Sequence, residues 1–171
     1  MKWSGGFSGM VAVGLLFLCP TAAVAQTQSA CAPVTKDQIV ALSDKWDKAL
    51  TAGQVDEITA LYADEAVLLP LMSTEPRKGR PAIRSYFEQY IKRHPQGGAN
   101  TRSIMVGCNT ASDIGTYVYR LTGRRKGTRE AVGGRYTTVY EFRGGQWLIV
   151  QQQASMAPDA VKPAPVSTKP R

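Results

Sequence analysis

From Thr35 onward the apolar positions keep a helical beat. Ile39, Leu42, Trp46, Ala49 and Leu50 recur at three- and four-residue spacing, and Gly53 stops the run. Ahead of them, Thr35-Lys36-Asp37-Gln38 fits a capping box, with Thr35 as N-cap and Gln38 reaching back. A second, short helix follows, with Asp56 and Glu57 in its first turn and Val55, Ile58, Leu61 and Tyr62 on its apolar face. Ala66-Val67-Leu68-Leu69 reads as a buried strand ended by Pro70. Gly79 and Pro81 open a third helix, in which Ile83, Tyr86, Phe87, Tyr90 and Ile91 hold helical spacing until His94-Pro95.

At Asn100 the period changes to two. Ile104, Val106 and Cys108 alternate with Met105, Gly107 and Asn109, and the stretch from Asn109 to Gly115 reads as turn. Tyr117, Tyr119 and Leu121 then alternate with Val118 and Arg120. Gly133-Gly134 reads as a turn before Tyr136, Thr138, Tyr140 and Phe142; Gly97-Gly98 reads the same way. Arg143-Gly144-Gly145 makes a hairpin, and Trp147 to Gln153 is the last strand. Helices first and a strand meander after them give an α+β fold: a cone-like curved antiparallel (mixed) sheet wrapped around three N-terminal helices, with a pocket at its open end.

The ends of the chain differ from this domain. Lys2, the apolar stretch 11–18 and Ala23-Val24-Ala25 form a secretory signal peptide, with cleavage after Ala25. A lipoprotein signal ending at Cys19 is the alternative, and the bulky Leu18 before that cysteine weighs against it. Residues 26–34 are a short leader, 35–156 the domain, and 157–171 a proline-bearing tail with hardly any large apolar residue, read as disordered. Away from the signal, no apolar run approaches the roughly 20 residues of a membrane span. The expected location is the periplasm or the exterior, with no stable membrane span once the signal is gone.

The composition is globular, with 43% hydrophobic and 20% charged residues. Cleavage removes Lys2 and leaves 20 Lys+Arg against 13 Asp+Glu. The basic residues are dispersed; their densest group, Arg124-Arg125-Lys126 with Arg129, reads as a solvated strand end and turn, with a phosphate-binding patch as the alternative. Nucleic acid is not an expected partner. Cys31 and Cys108 are the only cysteines left after cleavage, and in an oxidising compartment they suggest one disulfide rather than two free thiols. With His94 the one histidine and no clustered ligands, neither a metal nor another cofactor is expected.

Trp46-Asp47-Lys48-Ala49-Leu50, Gly53, Ile58, Leu61-Tyr62-Ala63-Asp64 and Ala66-Val67-Leu68-Leu69-Pro70 resemble the opening of the nuclear transport factor 2-like superfamily. Ile83-Arg84-Ser85-Tyr86-Phe87, Pro95-Gln96-Gly97 and Gly145-Gln146-Trp147-Leu148-Ile149-Val150 narrow the likeness to its SnoaL-like branch. Within that branch the chain is similar to exported bacterial relatives of the calcium/calmodulin-dependent protein kinase II association domain, over about residues 36–156. The resemblance implies an α+β cone, a homodimer or larger ring, and a pocket whose use varies among members, some of which are isomerases, cyclases or dehydratases.

The resemblance also implies what this chain lacks. Isomerase members carry an aspartate base near the end of the first strand, where Val67-Leu68-Leu69-Pro70 offers no carboxylate, and a first-helix tyrosine where this chain has Trp46. Association-domain relatives end the last strand with histidines, where Gln151-Gln152-Gln153 stands here; glutamine hydrogen-bonds but shuttles no proton near neutral pH. An arginine matching Arg120 lines a carboxylate-accepting pocket in the eukaryotic domain, while its two partner positions match Thr138 and Ala154. The expected ligand site therefore comprises Arg120, Gln152, Trp46, Tyr62, Tyr86 and Tyr136, with Phe87 and Tyr90 assigned to the core. Strand alternation is expected to turn Arg120 and Gln152 inward. An exposed strand arginine and glutamines that merely line a sheet are the plainer alternatives. The expected function is a small-molecule-binding or oligomerisation module taking a small anionic organic ligand. An isomerase- or lyase-type enzyme using an acid such as Asp64 or Glu65, and an interaction domain whose own side chains fill its pocket, are the other possibilities.

Overall fold

The computed structural model describes residues 31–71, 73–123, 125 and 127–156. The expected signal peptide, the leader up to residue 30, the tail 157–171 and positions 124 and 126 of the basic group lie outside the described residues.

The first helix, α1 (Lys36–Ala52), begins as its local sequence dictates. The Thr35 hydroxyl accepts from the Gln38 backbone N–H, and the Gln38 side chain accepts from the Thr35 N–H. It ends at Gly53, whose φ of 72° a residue with a Cβ rarely adopts. Helix α2 (Val55–Ala60) is shorter than its apolar pattern suggests. Leu61 already caps it, and Tyr62 opens strand β1 (Tyr62–Leu69), so Tyr62 belongs to the sheet and not to a helix face. The two-residue strand β2 (Arg77–Lys78) leads into α3 (Arg80–Tyr90), which has proline in its first turn and ends in a 3₁₀ turn over Ile91–Arg93.

Four long strands follow: β3 (Gln96–Val106), β4 (Thr110–Thr122), β5 (Arg129–Arg143) and β6 (Gln146–Met156). Strand β4 absorbs most of the stretch expected to be turn, because the reversal needs only residues 107–109, with Asn109 at φ 58°. Gly97-Gly98 and Gly133-Gly134 likewise lie inside strands, not turns. The sheet order is β2-β1-β6-β5-β4-β3; neighbours are antiparallel except β1 and β6, which run parallel. This is the mixed, curved sheet and three helices that the order of patterns implies.

The helices cover one sheet face. Ile39, Leu50, Ile58, Ile83 and Phe87 from the helices meet Tyr62, Leu121, Tyr140 and Ile149 from the sheet, all nearly or wholly removed from solvent. Burying such side chains contributes about 1.5–3 kcal/mol each and holds α1 against the inner sheet surface. Cys31 and Cys108 form a disulfide with Cα atoms 4.8 Å apart, tying the chain ahead of α1 to the β3–β4 turn. Beside it, the Ala32 N–H donates to the Asn109 side chain at 2.6 Å. No helix among the described residues is long and apolar enough to cross a membrane.

Candidate functional site

Between α1, α3 and the inner face of the sheet lies a cavity with a free volume of about 100 Å³. Helix α1 contributes Ser43, Trp46, Asp47 and Leu50, spaced three and four apart and therefore on one stripe. Strand β4 contributes Asp113, Tyr117, Tyr119 and Leu121, all of one alternation phase. From β5 come Val132, Tyr136, Thr138 and Tyr140, and from α3 come Tyr86, Phe87 and Tyr90.

Two glycines set the tyrosines. Tyr117 lies opposite Gly134, and Tyr136 opposite Gly115, in the β4–β5 register. A Cβ on Gly134 would stand 2.8 Å from the Tyr117 hydroxyl and 2.5 Å from the Ser155 carbonyl oxygen. Each ring thus occupies space that its partner strand leaves empty, and the two rings sit 6.4 Å apart.

The polar floor is a connected network. Asp113, fully buried, accepts from Ser43 Oγ at 2.6 Å and from Tyr136 Oη at 2.9 Å. Ser43 has only one proton and donates it to Asp113, so the 2.8 Å contact between Ser43 and Tyr140 is donated by Tyr140. Asp47 accepts from Tyr119 Oη, from the Ala99 N–H at 3.3 Å and from Arg102 Nη2 at 3.2 Å. Arg102 also reaches Asp44 at 2.8 Å, Asp113 at 3.9 Å and the Val40 carbonyl at 3.2 Å. Burial raises the Asp47 carboxyl above its ordinary value; its bonds from Tyr119 and Ala99 and the Arg102 charge offset only part of that. Burial likewise raises Tyr119, Tyr136 and Tyr140, so these phenols stay protonated donors.

A second chain of bonds runs along the wall. Trp46 Nε1 donates to Tyr62 Oη at 3.1 Å, Tyr62 donates to Gln152 Oε1, and Gln152 Nε2 donates to Thr138 at 3.2 Å. The hydroxyls of Tyr86, Tyr90 and Tyr117 make no hydrogen bond among the described residues; Tyr86 and Tyr90 stack at 5.7 Å, and burial pushes the Tyr117 phenol up to about 12.

Of the residues expected at the site, Trp46, Tyr86, Tyr136 and Gln152 line the cavity together. Tyr62 stands behind the wall, fully buried, and acts through its bonds to Trp46 and Gln152. Arg120 does not face the cavity. With Tyr119 and Leu121 buried on the inner face, alternation sends Val118 and Arg120 outward, and Arg120 is exposed. Phe87 and Tyr90, assigned to the core, also line the cavity. Asp64 and Glu65 are exposed and lie outside it, paired with Arg80 and Arg143.

The sequence reading missed Asp47, Asp113, Arg102 and Ser43 as site residues. Asp113 shares the phase of Tyr117, Tyr119 and Leu121, and Ser43 and Asp47 share the Ile39–Trp46–Leu50 stripe. A polar residue in an apolar phase was the available signal.

A curved mixed sheet packed against three helices is the cone-like fold of nuclear transport factor 2-like proteins, and solved structures share it. A superfamily protein of Salmonella enterica serovar Typhimurium superposes with TM-score 0.65 at 14% identity, covering 75% of this chain and 95% of that one. A Streptomyces avermitilis protein, provisionally named a dehydratase of the same class, gives 0.64 at 14% identity, covering 71% and 95%. Within the class the chain is narrower in kind: residues 35–158 match the calcium/calmodulin dependent protein kinase II association domain, and the chain belongs to that family. A Xanthomonas campestris protein provisionally assigned to the same domain is 36% identical, covering 77% of this chain and 96% of its own, with TM-score 0.66.

Proposed function

We propose that this chain is an exported, self-associating association-type domain that holds a small organic molecule in the cavity between α1 and the sheet. One observation carries the binding reading: eight aromatic side chains converge on a polar floor in which every carboxylate oxygen of Asp47 and Asp113 has a donor or a cation. Binding sites are typically apolar walls with a few fixed polar groups. The expectation of an anionic ligand rested on Arg120, which points away, and Arg102 is already committed to carboxylates. Self-association is supported by the outer sheet face, where Met105 and Ile114 stand exposed. Export is supported by the tripartite N-terminus and the disulfide.

A fragment screen by thermal shift tests binding, with Tyr117→Ala as control. Compounds that stabilise the parent and not the variant support the reading; identical responses in both sink it. Light scattering on the parent and on Met105→Glu/Ile114→Glu tests assembly, and an intact mass that retains residues 1–25 in exported material refutes cleavage.

One observation favours a catalytic reading. Asp47 is a carboxyl with a raised proton affinity, bonded to Tyr119 at the cavity wall, which is the equipment of a general acid–base pair. Turnover in a dehydration or isomerisation assay that Asp47→Asn abolishes, without loss of fold, would establish it.

A further inference from the structure

The direction of the hydroxyl protons restricts what the cavity accepts. Tyr119 donates to Asp47, while Tyr136 and Ser43 donate to Asp113. Tyr140 in turn donates to Ser43. Every hydrogen in this group is spent on the protein, and what these oxygens have left is lone pairs.

Charge points the same way. Among the described residues that line the cavity, the charged side chains are Asp47, Asp113 and Arg102, two carboxyl groups against one guanidinium. Around them stand the faces and edges of Trp46, Tyr86, Phe87, Tyr117 and Tyr136, with Tyr117 and Tyr119 rings 5.6 Å apart. Aromatic faces attract cations, most strongly where water is excluded. We infer that the ligand is a compact organic cation, a quaternary or substituted ammonium, with its charged head at the Asp47–Asp113 end. This rests on the small-molecule reading above and narrows its chemistry.

The Tyr86 and Tyr90 hydroxyls, which make no hydrogen bond among the described residues, are free to donate. A neutral or acceptor-bearing tail of the ligand suits these donors. The volume of about 100 Å³ admits a ligand of few heavy atoms.

The test uses three probes of nearly equal shape on the purified chain: choline, neutral 3,3-dimethylbutan-1-ol and anionic 3,3-dimethylbutanoate. Choline near ten times its Kd should raise Tm by about 3–6 °C, with the neutral isostere at least about tenfold weaker by titration calorimetry. Tyr117→Leu should weaken choline about tenfold, and Asp113→Asn should narrow its advantage over the alcohol; because the second variant disturbs the floor, the probe series on the parent decides. Equal binding of choline and the alcohol overturns the cation inference and leaves the small-molecule reading standing. Preference for the carboxylate overturns it in favour of an anion. No response to choline also overturns it, and the fragment screen then shows separately whether the cavity binds anything.

Discussion

Removing the charge of Arg102 offers the sharpest test of the buried network. Arg102→Met keeps the aliphatic reach and deletes the guanidinium, leaving Asp47 and Asp113 without their cation. The side chain of Arg102 is 17% exposed, that of Asp47 19% and that of Asp113 0%, so solvent screens these pairs poorly. The Arg80–Asp64 pair, at 40% and 86%, is worth at most a few tenths of a kcal/mol. Breaking a buried pair from one side costs about 3–5 kcal/mol, which for a domain of this size lowers Tm by roughly 10–20 °C at pH 7. The loss should depend on pH. Without Arg102 the Asp47 carboxyl, already raised by burial, rises further above its ordinary 3.8. Between that value and the raised one, the native state holds a proton that the unfolded chain releases, so stability increases as pH falls. Urea unfolding of parent and variant from pH 7 down to pH 4.5 should show the gap narrowing, and adding Asp47→Asn should recover part of it at pH 7. A deficit below about 1 kcal/mol at pH 7, or one constant with pH, refutes the claim that Arg102 compensates buried carboxylates.

Three further outcomes follow from the geometry. Cys31→Ser/Cys108→Ser should lose about 2–4 kcal/mol in denaturant unfolding, because the bond closes a loop spanning 77 positions; peptide mapping that finds two free thiols in the parent refutes it. Gly134→Ala should cost about 1–3 kcal/mol, since the new methyl meets the Tyr117 hydroxyl and the Ser155 backbone; a neutral result in urea would mean that the strand pair yields there. Arg120→Ala should stay within about 0.5 kcal/mol of the parent and leave ligand response unchanged, as measured by thermal shift; a loss of ligand response would return Arg120 to the site.

Local signals were the legible ones. The capping box at Thr35 and the stop at Gly53 are written in residues three or four apart, and the structure honours both. Arg120 went the other way because β4 carries large side chains in both phases, Tyr117 and Tyr119 against Val118 and Arg120. A period of two does not say which phase is inside; only the helices packed on Tyr119 and Leu121 decide it. Asp113 was hidden for a different reason. Its neighbours Asn109, Ser112 and Gly115 have turn chemistry, which long-range pairing with β3 and β5 overrides. Its burial is tolerable because Ser43, 70 positions earlier, and Tyr136, 23 positions later, supply donors, a match no local window contains.

The parallel pairing of β1 with β6 fixes an order of events in folding. Leu68 finds its sheet partner at Gln152, in the last strand of the domain. At the usual pace of synthesis, roughly 5–20 residues per second, β1 waits several seconds for that partner to exist. Until then its companion is the two-residue β2, and α1 has no finished surface to cover. Contacts this distant in sequence place the domain among slow folders, on the millisecond-to-second scale. A chain cut before Gln146 leaves β1 and β5 as bare strand edges, open to strands from other molecules.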